Sequence, residues 1–241
     1  MKPVIHIGTS GWNYPHWKGP FYNDDVPKTR WLEFYAQHFQ TVEVNATFYR
    51  LPKPVTIDKW RQETPEGFLW SVKASRYITH IKKLRDLHDS LRRFYDITDR
   101  FEEKLGPILF QLPPSLKYNE NVFTEFCDQL KPERRYALEV RYPDWIEERA
   151  LSKLRDFHIA FCISDTAGRF PYAEAITADF IYIRLHGARM LYGSDYSEEE
   201  LQQWAGKVER WKKETYIYFD NDYAGYAPKN AARLKEILHA K

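Results

Sequence analysis

Six ionisable residues stand near the ends of short β-rich runs: Glu43, Lys73, Glu139, Arg141, Arg184 and His186. Two carboxylates beside an imidazole have the make-up of acid–base chemistry, with Glu43 or Glu139 as general base and His186 as general acid. The cations Lys73, Arg141 and Arg184 can hold a phosphate or carboxylate, the guanidinium groups through forked hydrogen bonds. Asn45 and Gln111 share the phase of their strands, and Asn221 follows the last strand, so each adds a neutral binding group. Trp12 and Tyr49 stand in segments after strands, where rings can stack on a base or a sugar face. A glycosidase built on Glu43 and Glu139 is a further option, but cations so near depress an acid's pKa and impair proton donation. The available metal ligands are His6, Glu43, Glu139, Asp165 and His186, with no His-x-x-x-His spacing. Cations sharing their floor would repel a metal ion, so none is expected. Ser10 and Ser75 end strands without the strand–turn–helix elbow of a serine nucleophile. No motif specifies a cofactor.

These groups need strands to position them. The β-rich runs are Val4–Gly8, Thr41–Asn45, Phe68–Ala74, Ile108–Leu112, Tyr136–Arg141, Ile159–Ser164, Phe180–His186 and Tyr216–Asp220. Helical spacing separates them, as in Trp31, Phe34, Tyr35 and His38, or Leu84, Leu87, Leu91 and Phe94. Ser197 and Glu200 form a capping box before Leu201, Trp204 and Val208, and Pro228 can open a last helix. Gly106-Pro107 is expected to stop a helix before the fourth strand, and the sixth crossover, with Pro171, carries the weakest helical pattern. Eight alternating units predict an α/β fold closed as a (β/α)8 TIM barrel, a single domain over residues 1–241. An open doubly wound sheet is the alternative, and it lacks its Gly-rich phosphate loop after the first strand.

Alternation along the strands groups Glu43 with Asn45, Ser71 with Lys73, and Leu109 with Gln111. It likewise groups Ala137 with Glu139 and Arg141, and Tyr182 with Arg184 and His186. Each polar set falls in the carboxyl half of its strand, the end at which barrel enzymes place their chemistry. The six ionisable residues are therefore expected to converge in one pocket. The competing reading is an internal network, such as Glu43–Arg184 or Glu139–Lys73, that serves structure only. The long loop Thr9–Tyr22 is expected to cover part of the mouth with Trp12 and Trp17.

Composition narrows the classes. A formal charge of +2 does not suit a general nucleic-acid or membrane surface, so any anion preference must be local. Cys127 and Cys162 form neither a disulfide framework nor a zinc spacing; Cys162 reads as a core residue, with a reactive thiol as the alternative. The basic run Lys82, Lys83, Arg85, Arg92 and Arg93 is interspersed with acids and reads as a solvated helix face. No apolar run approaches membrane-span length and no signal sequence opens the chain, so a cytoplasmic protein with no membrane partner is expected.

The stretches IGTSGWNYPHWKGPFY, TVEVNATFYRLP, FLWSVKASRYITH, GPILFQLPPS, LEVRYPDW, RLHG and YFDNDYAGYAPKNAARL carry a resemblance. The chain resembles the YecE-like family, the domain of unknown function numbered seventy-two, over nearly its whole length. The resemblance implies a (β/α)8 barrel and no established activity; an analogy to endonuclease and sugar-isomerase barrels suggests nucleic-acid binding. The family pattern reads Phe-Asn-Asn where this chain has Phe219, Asp220 and Asn221, and Arg-His where Tyr142 follows Arg141, so polar roles there are not carried over. The residues favour an anion-binding pocket for a sugar phosphate, nucleotide or nucleic acid, in an acid–base enzyme. The alternative is a non-catalytic nucleic-acid-binding protein using the same mouth.

Overall fold

A computed structural model describes residues 3–239. Its strands are β1 (Ile5–Thr9), β2 (Thr41–Val44), β3 (Leu69–Lys73), β4 (Leu105–Gln111), β5 (Tyr136–Glu139), β6 (Ala160–Asp165), β7 (Phe180–Leu185) and β8 (Glu214–Phe219). Each matches a run expected from the sequence to within a few residues. All pair in parallel, each beside its neighbour in the chain, and β8 returns to pair with β1. This is the TIM-barrel order.

The seam between β1 and β2 closes differently from the other pairings. One bridge joins Ser10 to Glu43, where Gly11 N–H donates to Glu43 O at 2.8 Å. Below it the buried Tyr35 hydroxyl replaces a ladder bond, accepting from Thr9 N at 2.9 Å and donating to Thr41 O at 3.0 Å. Gly8 permits this approach, because a Cβ there would collide with the Thr41 carbonyl oxygen. Tyr35→Phe should therefore lower stability by about 1–3 kcal/mol, the cost of leaving buried backbone groups unpaired. Urea denaturation checks this, and an unchanged midpoint would remove the hydroxyl from the closure.

The outer layer comprises α1 (Trp31–His38), α2 (Ala46–Tyr49), α3 (Pro54–Glu63), α4 (His88–Thr98), α5 (Glu120–Cys127), α6 (Glu148–Asp156), α7 (Glu198–Trp211) and α8 (Tyr226–His239). The Ser197–Glu200 capping box opens α7 as expected. The crossover from β6 to β7 has no helix. There Thr177 Oγ1 accepts from Phe161 N at 2.7 Å and donates to Ile159 O at 2.6 Å, so extended chain is pinned against β6. Gly106-Pro107 also departs from expectation. The pair lies inside β4, where the register on β3 shifts between Trp70 and Val72. A proline lacking its N–H is tolerated at such an irregularity.

Two apolar bodies result. Between strands and helices lies the larger one, containing Trp17, Trp70 and Trp145, which are fully buried. Inside the barrel, Tyr182, Tyr216, Tyr218 and Phe180 from β7 and β8 fill the space left by Ala137, Ala160 and Cys162 of β5 and β6. Burial pushes the Cys162 thiol well up, as expected of a core residue. His6 sits at the opposite end from the strand carboxyl termini, stacked on Tyr216 and 3.2 Å from Glu214. It is a structural histidine.

Candidate functional site at the carboxyl ends of the strands

The interior tyrosines carry the polar cluster on their hydroxyls. Tyr218 donates to Ser71 Oγ at 2.8 Å, and Tyr182 donates to Glu43 Oε2 at 2.6 Å. These contacts place Ser71, Glu43 and the residues in phase with them on the barrel axis. Arg184 lies above Tyr182 on the same face of β7 and is fully buried. Its Nε and Nη2 donate to Glu43 at 3.0 and 2.8 Å, its Nη1 to Glu139 at 2.6 Å. Nη2 also reaches Ser10 Oγ at 2.8 Å and Asp220 Oδ2 at 3.0 Å. Three carboxylates thus converge on one guanidinium, and no face of it is left for a ligand.

Glu139 is the second hub. It accepts from Gln111 Nε2 at 2.8 Å and from Arg141 Nε at 3.2 Å, and His186 Nε2 stands 3.7 Å away. Burial alone would raise its pKa, but the charges of Arg184 and Arg141 and the His186 ring hold it well below the ordinary carboxylate range. Asp220 behaves likewise: burial opposes ionisation, and Arg184, His186 and Lys73 outweigh it. Burial and Arg184 work against a charged His186, yet its contacts with Asp220, 2.9 Å from Nδ1, and with Glu139 raise its pKa. Gly187, at φ 113°, turns the chain back so that Tyr192 N–H donates to His186 O and the two rings meet at 5.4 Å.

Lys73 and Arg141 form the upper edge. Lys73 Nζ lies 4.3 Å from the centre of the Phe48 ring, and among the described residues no carboxylate is within ion-pair distance of it. Burial, followed by repulsion from Arg184, lowers its pKa to about 8. Arg141 spreads over Phe170 at 4.4 Å while holding Glu139. At the rim, burial and the charges of Arg141, Lys73 and Arg76 push His80 down to about 4.

The structure brings together Glu43, Glu139, His186, Lys73, Gln111, Arg141 and Arg184, with Asn45 beside them through a bond to Ser10 Oγ at 3.0 Å. Two residues expected at the site, Trp12 and Asn221, lie elsewhere, and Tyr49 stays outside the buried cluster. Trp12 is packed edge-on against Trp60 and Trp70 in the outer core, because its loop folds over α3. Trp17 is buried too; of that loop Ser10 joins the cluster directly through Arg184, and Tyr14 reaches it through its hydroxyl, which donates to Ser10 O at 2.7 Å. Tyr49 is 74% exposed on α2. Asn221 is fully buried and donates to Ser194 O and Asn230 Oδ1, tying the β7–α7 loop to α8. Arg184, read as a ligand contact, is instead the internal counter-ion. Asp220 was missed, although Tyr216, Tyr218 and Asp220 are in phase, which is the signal that would have found it. With Asp220 counted, three carboxylates balance Lys73, Arg141 and Arg184. Among the described residues, no group of three or more His, Cys, Asp or Glu is arranged to hold a metal ion.

A closed parallel barrel with a polar cluster at the carboxyl ends of its strands defines a TIM-barrel protein with an end-of-strand candidate site. Residues 6–241 match the family described as "Protein of unknown function DUF72", and the chain belongs to that family. It is 28% identical to UPF0759 protein YecE of Escherichia coli (strain K12), covering 98% of this chain and 93% of that protein. It is 26% identical to UPF0759 protein YunF of Bacillus subtilis (strain 168), covering 98% and 95%. A crystal structure of a DUF72 family protein from Thermotoga maritima MSB8 superposes with a TM-score of 0.90 at 29% identity, covering 98% of this chain and 99% of that one. No helix among the described residues is long and apolar enough to cross a membrane.

Proposed function

We propose that the barrel mouth binds a ligand bearing a phosphate or carboxylate, met by Lys73 and Arg141, in an acid–base enzyme. The observation that carries this reading is Lys73, a buried ammonium with no carboxylate at ion-pair distance among the described residues. A buried cation with no carboxylate at contact distance is costly, and an incoming anion supplies that contact. The depressed His80 supports a positive field at the rim. Glu139, held ionised, can accept a proton, while His186, with its raised pKa, can give one. Glu43 is the alternative base, and Arg184 keeps both carboxylates aligned. A sugar phosphate or nucleotide suits such a site.

Calorimetric titration with inorganic phosphate, glucose 6-phosphate and a short oligonucleotide tests this. Arg141→Met should weaken the phosphate-bearing ligand by about 1.5–3 kcal/mol, roughly ten- to hundredfold. Equal affinity in both proteins, or a preference for neutral glucose, would overturn the anion site.

One observation favours a second reading. The exposed tyrosines Tyr49, Tyr77, Tyr172, Tyr192 and Tyr223 all lie on segments that follow strand ends. Rings placed so around a mouth suit base stacking in a non-catalytic nucleic-acid-binding protein. Oligonucleotide affinity that falls steeply with salt, without weakening of glucose 6-phosphate, would select it.

A further inference from the structure

We infer that Lys73 is a nucleophile that captures an aldehyde or ketone as an iminium, with the anionic group of that carbonyl compound held by Arg141. The inference rests on the anion-site reading for its ligand class and on the geometry of Lys73 for its chemistry.

The backbone of Lys73 is fixed: Thr47 Oγ1 donates to its carbonyl at 2.7 Å, and the following Ala74 N–H donates to Leu109 O at 2.8 Å. In phase with Ser71, its side chain rises from the axis of the barrel beside Arg184. Every other cation of the cluster is paired; Lys73 has an aromatic face instead. Lys104 is bonded differently. That buried lysine donates to Arg61 O at 2.7 Å and Thr64 O at 2.6 Å, closing the end of α3, as a structural ammonium does. Lys73 closes nothing. With its pKa at about 8, about a tenth of the amine is neutral at pH 7, roughly two- to three-hundredfold more than for an ordinary lysine.

The chemistry balances with one solvent proton. The neutral Nζ lone pair attacks the carbonyl carbon, and the carbonyl electrons move to oxygen. One hydrogen of the amine and one proton taken from solvent leave with that oxygen as water. The nitrogen keeps its last hydrogen and the positive charge of the C=N bond.

The test is reductive trapping on the full chain. Dihydroxyacetone phosphate with cyanoborohydride is expected to add one adduct, mapped by peptide mass spectrometry to Lys73, at least tenfold faster than to any other lysine. Lys73→Arg should abolish that adduct, and Arg141→Met should slow it for dihydroxyacetone phosphate but not for dihydroxyacetone. Adducts scattered over surface lysines while phosphate still binds would overturn the nucleophile and leave the anion site standing. Selective labelling of Lys73 that is indifferent to the phosphate group and to Arg141 would overturn the role given to Arg141.

Discussion

Arg184→Met is expected to destabilise the protein by about 3–5 kcal/mol at pH 8, the range for breaking a buried ion network by removing one partner. The substitution leaves Glu43, Glu139 and Asp220 facing one another, with side-chain exposures of 0%, 1% and 14%. Its pH dependence distinguishes loss of charge from loss of packing. In the native protein the Glu139 and Asp220 carboxyls are depressed, so their contribution is present above the ordinary carboxylate pKa values and fades as pH falls through the depressed ones. Without the guanidinium, mutual repulsion and burial raise them instead, so the variant recovers stability as pH falls from 8 towards 5. Urea unfolding at both values should show a gap that narrows on acidification. Adding Glu43→Gln and Glu139→Gln to the variant should recover part of the loss at pH 8. A constant gap, unaffected by those changes, would mean that Arg184 acts through packing alone.

The strands were legible because each run combines β-branched or aromatic residues with a stop signal. Their phase was legible too, since one polar residue two positions from another on a strand shares its face. What phase cannot convey is depth. Arg184 and Arg141 read alike in sequence, yet one lies over the Tyr182 hydroxyl among three carboxylates and the other reaches the edge over Phe170. Trp12 shows a second limit. A ring in a loop can turn toward the mouth or the helices, and here Trp60 and Trp70 offered the larger apolar face. The absence of a helix between β6 and β7 reflects Pro171 together with Thr177, whose hydroxyl serves both Phe161 and Ile159 and holds the crossover extended. Sequence patterning exposes such weakness, but not the bond that replaces the helix.

Lys73→Met is expected to act in the opposite direction to Arg184→Met and stabilise the protein. The side chains are similar in length, so the change removes the charge while keeping the contact with Phe48. An amine displaced from 10.5 to about 8 by burial and a neighbouring guanidinium destabilises the folded state at neutral pH. At about 1.4 kcal/mol per pH unit, that cost reaches about 3.5 kcal/mol as an upper bound. The sign follows from linkage. Below about pH 8 the folded protein must hold a proton that its environment disfavours, whereas above the ordinary lysine value both states are neutral and the cost is gone. The stability advantage of Lys73→Met should therefore be full near pH 7, shrink from about pH 8 upward and vanish near pH 10.5. Urea unfolding of the two proteins across that range measures it, and effects of the other titrating groups cancel in the difference as long as their surroundings are unchanged. A purely structural lysine would give the reverse result, with the methionine variant less stable throughout. A gain confined to the pH range in which Lys73 is charged would show that the fold carries this ammonium at a cost, as expected of a group kept for what it binds or attacks.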